Sequence, residues 1–501
     1  MFTPDLNEFR KLAERGNLIP VYREHLADLE TPVSALARFA DDDHVFLFES
    51  VEGGERWGRY SFIGLHPVAV FTVENGVARL SGRSGVQILE AGDSPFESLR
   101  AILRRTTPVH VPGLPRFFAG AVGMLGYETV REYERLPAPK GDSAGQTACF
   151  MLTEEMVIFD NVRHTAKVVA CARPEEFDSL EAAYEDACDR VCRIEDRLRT
   201  PCSARPNGEQ CGDRVTVKMD SNMTREAYCE MVRRAKEYIV EGDIIQGVLS
   251  QRFSGPLPAA PLATYRALRL INPSPYMFYL KSGSQLLVGS SPEIMVRLTG
   301  STMELRPIAG TRPRGETEQA DRALADSLLQ DEKERAEHVM LVDLGRNDLG
   351  RIAVPGSVQV RDFMTIERYS HVMHIVSHVQ GELSAGRDAF DVIRATFPAG
   401  TLTGAPKIRA MEIIHELEPQ ARGAYGGAVG YLGYDGAMDL AITIRTLEID
   451  GDRVSVQAGA GIVADSDPEK EYEETVNKAK GMMRALDLAA RNLELAHDTD
   501  D

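Results

Sequence analysis

Residues 117–127 and 423–434 are near copies of one another, sharing the text Gly-Ala-Val-Gly-x-Leu-Gly-Tyr. The repeated text reads as a buried strand. Its recurrence predicts a duplicated strand in two facing halves; a shared glycine-rich composition is the plainer alternative. These are also the longest uncharged apolar stretches, each about a dozen residues and short of the roughly 20 that span a bilayer. A chain built this way is expected to bury them in a globular interior.

Around them, strands are expected at 45–50, 59–73, 156–172, 244–253, 371–381, 427–434 and 439–449. Helices are expected at 174–199 and at 224–241, the latter with Thr224 as N-cap and Gly242 just past its end. Several strands follow one another with short turns, which predicts an α+β fold of large antiparallel sheets with helices outside. The text 200–212 is polar and turn-forming without periodic apolar positions, so the chain divides into an N-terminal region (1–199), a linker (200–217) and a C-terminal region (218–495). The length of 501 residues suggests two or three units.

Charge narrows the function. Against 57 Lys and Arg stand 76 Asp and Glu, a net charge of −19, and no basic block is free of interleaved acids. Such a balance excludes non-specific nucleic-acid binding and adhesion to anionic membranes. The N-terminus carries acids and no apolar core segment, so no secretory signal is read and a cytoplasmic location is expected. Seven cysteines fall between Cys149 and Cys229 with no CxxC pair, which points to free thiols rather than a disulfide framework or zinc knuckle.

Two segments carry paired carboxylates at helical spacing. In 331–348, Glu334 and Glu337 share a face; in 467–483, Asp467 suits an N-cap and Pro468 the first helical position, with Glu471 and Glu474 on one face and Lys478 a turn on. Singly, each is well explained by a solvated charged face. If the helices converge, four carboxylates without His or Cys suit a hard cation such as Mg²⁺. Glu293 follows a Ser-Ser-Pro turn, and a Gly/Pro-rich loop at 306–315 holds three arginines. The segment 400–407 lacks the spacing of a phosphate loop. Along 371–381, strand alternation puts His374 and His378 on one face and His371 on the other.

In order, GDIIQGVLSQRF, NPSPYMFYL, GSSPEIM, RPIAGTRPRG, DEKERAEHVMLVDLGRND, HVMHIVSHVQG, TFPAGTLTGAPK, AITIRT and AGAGIVADSDPEKEYEET resemble the chorismate-utilising enzymes. FLFESVEGGERWGRYSFIG is similar to that family's regulatory segment. Within the family, Ala309, Gln246 and Thr401 match the anthranilate-forming branch rather than the branches with Lys or Ala there. Gln cannot act as a general base, which argues against water activation. The resemblance implies a chorismate-utilising fold, its sheets forming a sandwich with helices packed outside. It also implies Mg²⁺-dependent addition of ammonia at C2 of chorismate with loss of the C4 hydroxyl, then pyruvate elimination to anthranilate. Glu293, His374 and Thr401 are implied as catalytic residues, and Tyr425, Arg445, Gly459, Ala460, Gly461 and Lys478 as substrate contacts. Glu337 and Glu474 are implied as metal ligands, with Glu334 and Glu471 acting through waters. L-Tryptophan is implied as an inhibitor bound by Glu49, Ser50, Asn272, Pro273, Pro275, Tyr276 and Met277, and a glutamine amidotransferase small subunit as the ammonia source. An enzyme that stops at the aminated intermediate and a non-catalytic tryptophan-sensing scaffold are the alternatives.

Overall fold

The computed structural model describes residues 1–50, 58–83, 85–89, 94–138, 146–201, 217–369 and 372–494. Most of the expected linker, residues 51–57 of the effector-like segment, and His371 lie outside the described residues.

The N-terminal half supplies β1 (Ile19–Leu26), β2 (His44–Glu49), β3 (Tyr60–Leu65), β4 (Ala69–Glu74), β5 (Val77–Gly82), β6 (Gly85–Ile88), β7 (Gly120–Leu125), β8 (Gln146–Thr153), β9 (Glu155–Asp160) and β10 (Thr165–Ala172). After β11 (Asp220–Ser221), the C-terminal half supplies β12 (Gln246–Pro256), β13 (Tyr276–Ser282), β14 (Gln285–Ser291), β15 (Ile294–Thr299) and β16 (Thr302–Leu305). It then makes an excursion through β17 (Ile308–Pro313), β18 (Gln359–Val360), β19 (Thr365–Arg368) and β20 (Val372–Val376). It resumes with β21 (Val379–Glu382), β22 (Gly404–Ala405), β23 (Ala428–Gly433), β24 (Met438–Ile442), β25 (Thr446–Asp450) and β26 (Arg453–Ile462).

These strands build two antiparallel sheets that run through both halves. One has the order β1-β10-β9-β3-β2-β13-β14-β25-β26-β12-β11, the other β18-β21-β16-β15-β24-β23-β7-β8-β4-β5-β6. Outward from the β2/β13 junction the order is 2-3-9-10-1 on one side and 13-14-25-26-12 on the other; outward from β7/β23 it is 7-8-4-5-6 and 23-24-15-16-21. The chain therefore traces one path twice, with the β17–β20 excursion added only the second time. The repeated text lies at the junction itself. β7 and β23 are neighbours in one sheet, with Gly123 paired to Gly430, rather than strands in two facing halves. A Cβ on Gly123 would lie 1.8 Å from Cys149 O on β8, and one on Gly430 would lie 2.0 Å from Asp439 O on β24. The same close approach at equivalent places explains why the glycines recur.

Helices cover the outside. α1 (Leu6–Leu12), α2 (Pro32–Leu36), α3 (Pro95–Arg104) and α4 (Leu180–Leu198) belong to the first half. α5 (Arg225–Val240), α6 (Pro261–Ile271), α7 (Glu318–Gln330), α8 (Glu332–Gly350), α9 (Ala389–Thr396), α10 (Lys407–Leu417) and α11 (Pro468–Ala490) belong to the second. Alternation on β13 shows the layering: Phe278 and Leu280 enter the core between the sheets, whereas Met277 and Tyr279 pack outward on the layer of α2, α4, α6 and α11. Among the described residues no helix is long and apolar enough to cross a membrane.

Local signals are met closely. Thr224 accepts from Ala227 N–H at the start of α5, and Gly242 beyond its end has φ +86°. The helix expected from 174 begins at Leu180, because Ser179 caps it. Four expected strands are each two: the 156–172 text is the hairpin of β9 and β10, and three others also divide. The 439–449 text splits into β24 and β25 and the 59–73 text into β3 and β4, each pair divided between the two sheets. The 371–381 text splits into β20 and β21, so His374 lies in a small sheet with the order β17-β20-β19, while His378 falls between strands and pairs with Glu304. The two histidines share no strand face.

Candidate active site

α8 and α11 each start on an aspartate whose carboxylate caps the first turn, Asp331 and Asp467. α8 buries His338, Leu341, Val342 and Gly345, and Glu334 and Glu337 lie half-buried toward that same side, one turn before His338 and Leu341. Burial first, then Glu334 and Glu474, hold the Glu337 carboxyl above the ordinary range; burial and then Glu474 do the same to Glu471. The two helices therefore bring their carboxylates within electrostatic reach. In this arrangement Lys478 pairs with Glu474 at 2.7 Å, and Arg312 reaches Glu334 at 3.4 Å. Among the described residues no three His, Cys, Asp or Glu side chains are drawn into a ready metal cage.

Beneath them, β26 forms a glycine floor. It pairs with β12 from Arg453 to Ile462, whereas β25 covers its other edge only as far as Val456, so among the described residues no strand pairs with that edge at Gly459, Ala460 and Gly461. Lys478 Nζ donates to Gly459 O at 3.0 Å across it. A Cβ on Gly459 would come within 2.6 Å of the Tyr425 hydroxyl, and one on Gly461 within 2.5 Å of Gln246 Nε2. Gln246 Nε2 in turn donates to Glu337 at 3.4 Å, while its Oε1 is buried without a partner among the described residues. Tyr425 and Gln246 thus stand over positions where any side chain would displace them.

Glu293 is buried within reach of Thr401, Arg445 and Lys478. Burial raises its pKa to about 8, against the lowering effects of the Thr401 hydroxyl, Arg445 and Lys478. Thr401 Oγ1 faces that carboxyl without reaching hydrogen-bond geometry and is otherwise unsatisfied. Arg445 sits not on a strand but at the crossing from β24 to β25, with φ +49°. A left-handed arginine is costly, and such strain persists only where surrounding structure imposes it. His374 is buried, and its Nδ1 lies 3.0 Å from Gly310 O and 3.1 Å from Thr311 Oγ1. A carbonyl can only accept, so the neutral ring carries its proton on Nδ1 and its lone pair on Nε2. Burial, and then Arg445, lower its pKa below the ordinary value.

Sequence reading missed the support beneath these groups. Arg422 is 1% exposed and forms a two-bond pair with Glu418, while Nη1 donates to Leu402 O and Nη2 to Val248 O, each at 2.7 Å. The carboxylate of Glu128, from the first half, accepts from the N–H groups of Arg422 and Gly423, so both halves hold the loop that carries Tyr425. The i,i+4 spacing of Glu418 and Arg422 was the only local signal. Lys407, at the end of the rejected phosphate-loop text, instead donates to Asp348 at 2.7 Å. The three loop arginines are paired as well: Arg306 with Glu367, Arg312 with Asp331 and Arg314 with Asp321.

A separate cavity of about 710 Å³ lies where the two halves meet. Glu49, Ser50, Pro275, Tyr276 and Met277 line it, whereas Asn272 and Pro273 do not. Asn272 ends α6 and is drawn away by its amide bond to Ser290 Oγ at 2.7 Å. Glu49 is almost fully buried, accepting from the Tyr265 hydroxyl and Arg269 Nε.

Residues 43–484 match the family described as chorismate binding enzyme. The chain belongs to that family. Within it, this chorismate-binding enzyme is 46% identical over 495 residues to anthranilate synthase component 1 of Acetivibrio thermocellus, covering 98% of this chain and 99% of that one. It is 48% identical to the Thermus thermophilus protein of the same name, covering 95% and 99%. The crystal structure of anthranilate synthase component I from Streptococcus pneumoniae superposes with a TM-score of 0.76 at 37% identity, covering 91% of this chain and 98% of that one.

Proposed function

We propose that this chorismate-binding enzyme adds ammonia to C2 of chorismate with loss of the C4 hydroxyl, then eliminates pyruvate to give anthranilate. The observation that carries this reading is Glu293, a buried carboxyl with a pKa of about 8, set among Thr401, Arg445 and Lys478. A carboxyl protonated at neutral pH can give its proton to a departing hydroxyl, which an ordinary carboxylate cannot. Gln246 on the pocket floor offers no base to activate water, which favours ammonia as the nucleophile. Arg445 suits a bidentate grip on the enolpyruvyl carboxylate, with Tyr425, Lys478 and the main chain of Gly459 to Gly461 as the remaining contacts. His374, with its lone pair on Nε2, serves the elimination half.

The all-oxygen donor set of Glu337 and Glu474, with Glu334 and Glu471 one shell out, fits Mg²⁺, and the orphaned Gln246 Oε1 beside them marks a polar pocket wanting a partner. When bound, such a cation supplies charge neutralisation for the substrate's ring carboxylate and for electron withdrawal as the hydroxyl leaves. The first region, 1–199, is read as regulatory and 218–495 as catalytic. The cavity between the halves is assigned to L-tryptophan, an amidotransferase subunit to ammonia supply, and the cytoplasm to the whole.

Incubating the chain with chorismate, Mg²⁺ and ammonium should produce anthranilate fluorescence without any partner. Accumulation of the aminated, enolpyruvyl-bearing compound alone would select the amination-only alternative. Ser50→Phe and Met277→Thr should stay active and lose tryptophan sensitivity; unchanged sensitivity would misplace the effector site.

A further inference from the structure

The acid that follows the repeated text is used differently in its two copies. In the second, Asp435 accepts from Ala437 N–H at 3.0 Å, inside the turn between β23 and β24. In the first, Glu128 lies on a 3-10 helix, Tyr127–Glu132, that follows β7, and its longer side chain reaches into the other half. It is 8% exposed, and its two oxygens accept from Arg422 N–H at 2.8 Å and from Gly423 N–H at 3.1 Å. Tyr127 N–H adds a bond to Gly423 O at 2.8 Å, and a Cβ on Gly427 would lie 2.0 Å from Leu125 O. The first half therefore grips the 422–427 segment at both ends. Tyr425 stands between the two grips, its ring 5.6 Å from the Arg422 guanidinium and its hydroxyl over Gly459 of the pocket floor. Glu418 takes that guanidinium in two bonds, so the charge of Arg422 is answered without Glu128, whose oxygens meet main-chain N–H groups.

We infer that Glu128 is a positioning residue for Tyr425, so that the first half supplies part of the support for substrate binding in the second. This rests on the substrate contact proposed above for Tyr425. Three of the six residues from 422 to 427 are glycine, so the segment has little conformational preference of its own. What holds its main chain then decides where the Tyr425 hydroxyl points. A carboxylate that accepts from two consecutive N–H groups fixes the segment at its start, one and two residues from Ala424 and Tyr425. Plain packing predicts otherwise: loss of Glu128 would loosen the fold and weaken the site to the same degree whether or not Tyr425 carries a hydroxyl.

The test is a double-mutant cycle on the full chain, given chorismate, Mg²⁺ and ammonium, with anthranilate followed by fluorescence and a thermal melt run on each protein. Glu128→Ala should raise the KM for chorismate about 10-fold, the range that loss of a charge-assisted hydrogen bond supports, while kcat stays within about 3-fold of the parent. Glu128→Gln offers one N–H group an amide oxygen and the other an NH₂, so its KM should fall between the two; it carries the same cycle if the alanine variant does not fold. Tyr425→Phe should raise KM by itself. In that background the Glu128 substitution should change KM by less than about 2-fold, because the hydroxyl it positions is gone. Equal KM ratios in the two backgrounds, or a parental KM in a folded Glu128 variant, would overturn the inference. A parental KM in Tyr425→Phe would instead overturn the contact assigned to Tyr425, and the role of Glu128 would fall with it.

Discussion

The two halves follow the same strand path, yet the space beside one terminal strand pair is filled and that beside the other is left open. On β1 and β10, Lys167 pairs with Glu24, while Arg23 and His25 converge on the nearly buried Glu195 of α4. On the corresponding β12 and β26, glycines take the floor, and α11 presents Glu471, Glu474 and Lys478 above it. The first arrangement pairs its charges among themselves. The second leaves Gln246 and Thr401 unsatisfied and Glu293 uncharged at neutral pH, which stabilises nothing until a ligand enters. A duplicated scaffold thus gains chemistry by removing side chains from one copy and adding the β17–β20 excursion.

The contrast breaks most sharply at Glu293. Glu293→Gln keeps the shape but cannot donate an acidic proton, so turnover should fall by about 10²–10⁴-fold with the fold intact. Steady-state rates beside a thermal melt check this. Gly461→Ala tests whether emptiness itself matters, since the new Cβ would contact Gln246 at 2.5 Å and shift it; kcat/KM should fall by about 10²-fold, as misplacement by roughly 1 Å permits. The pH profile is next. With Glu293 as the proton donor proposed above, the amination rate should hold below pH 8 and fall about tenfold per unit above it, a limb that Glu293→Gln abolishes. On the acid side, the lowered pKa of His374 keeps the ring neutral below its ordinary midpoint, so elimination should persist there. The smallest effect belongs to the other half. Glu195→Ala removes the partner of Arg23 and His25, both partly exposed, and should cost about 1–2 kcal/mol in a denaturant titration while leaving kcat unchanged. Loss of kcat comparable to loss of stability would end the division of labour between the halves.

Much of this was legible because it is local. Thr224 and Asp467 announce helix starts within four residues, and the Glu pairs on α8 and α11 follow from helical spacing alone. What stayed hidden is set by contacts distant in sequence. Nothing near Arg445 says that the chain changes sheets there, since β24 and β25 read as one alternating run. His374 and His378 look like strand neighbours until Ser377 interrupts them, its hydroxyl at 2.6 Å from His338 Nε2 on α8. Arg422 looks like a surface residue in a turn, and only the arrival of Leu402, Val248 and Glu128 from three other segments makes it a buried strut. Asn272 and Pro273 lie three and two residues from Pro275 on the cavity wall and yet are not part of it.

The excursion that carries His374 and the first carboxylate pair leaves the sheet after β16 and returns at β21, and Leu305 and Val379 are register partners. Entry and exit therefore sit side by side, like the two ends of a loop of thread drawn from cloth. The block between them is tied back to the frame by β18 on β21 and by Val342 and Leu349 in the core, whereas the small sheet of β17, β20 and β19 stands outside both large sheets, so the amides of that small sheet are expected to exchange with solvent faster than those of β7 and β23. His374 therefore rides on a piece of chain set apart from the strands that flank Glu293 and Arg445, and the exchange rates of the two would read how firmly that piece is held.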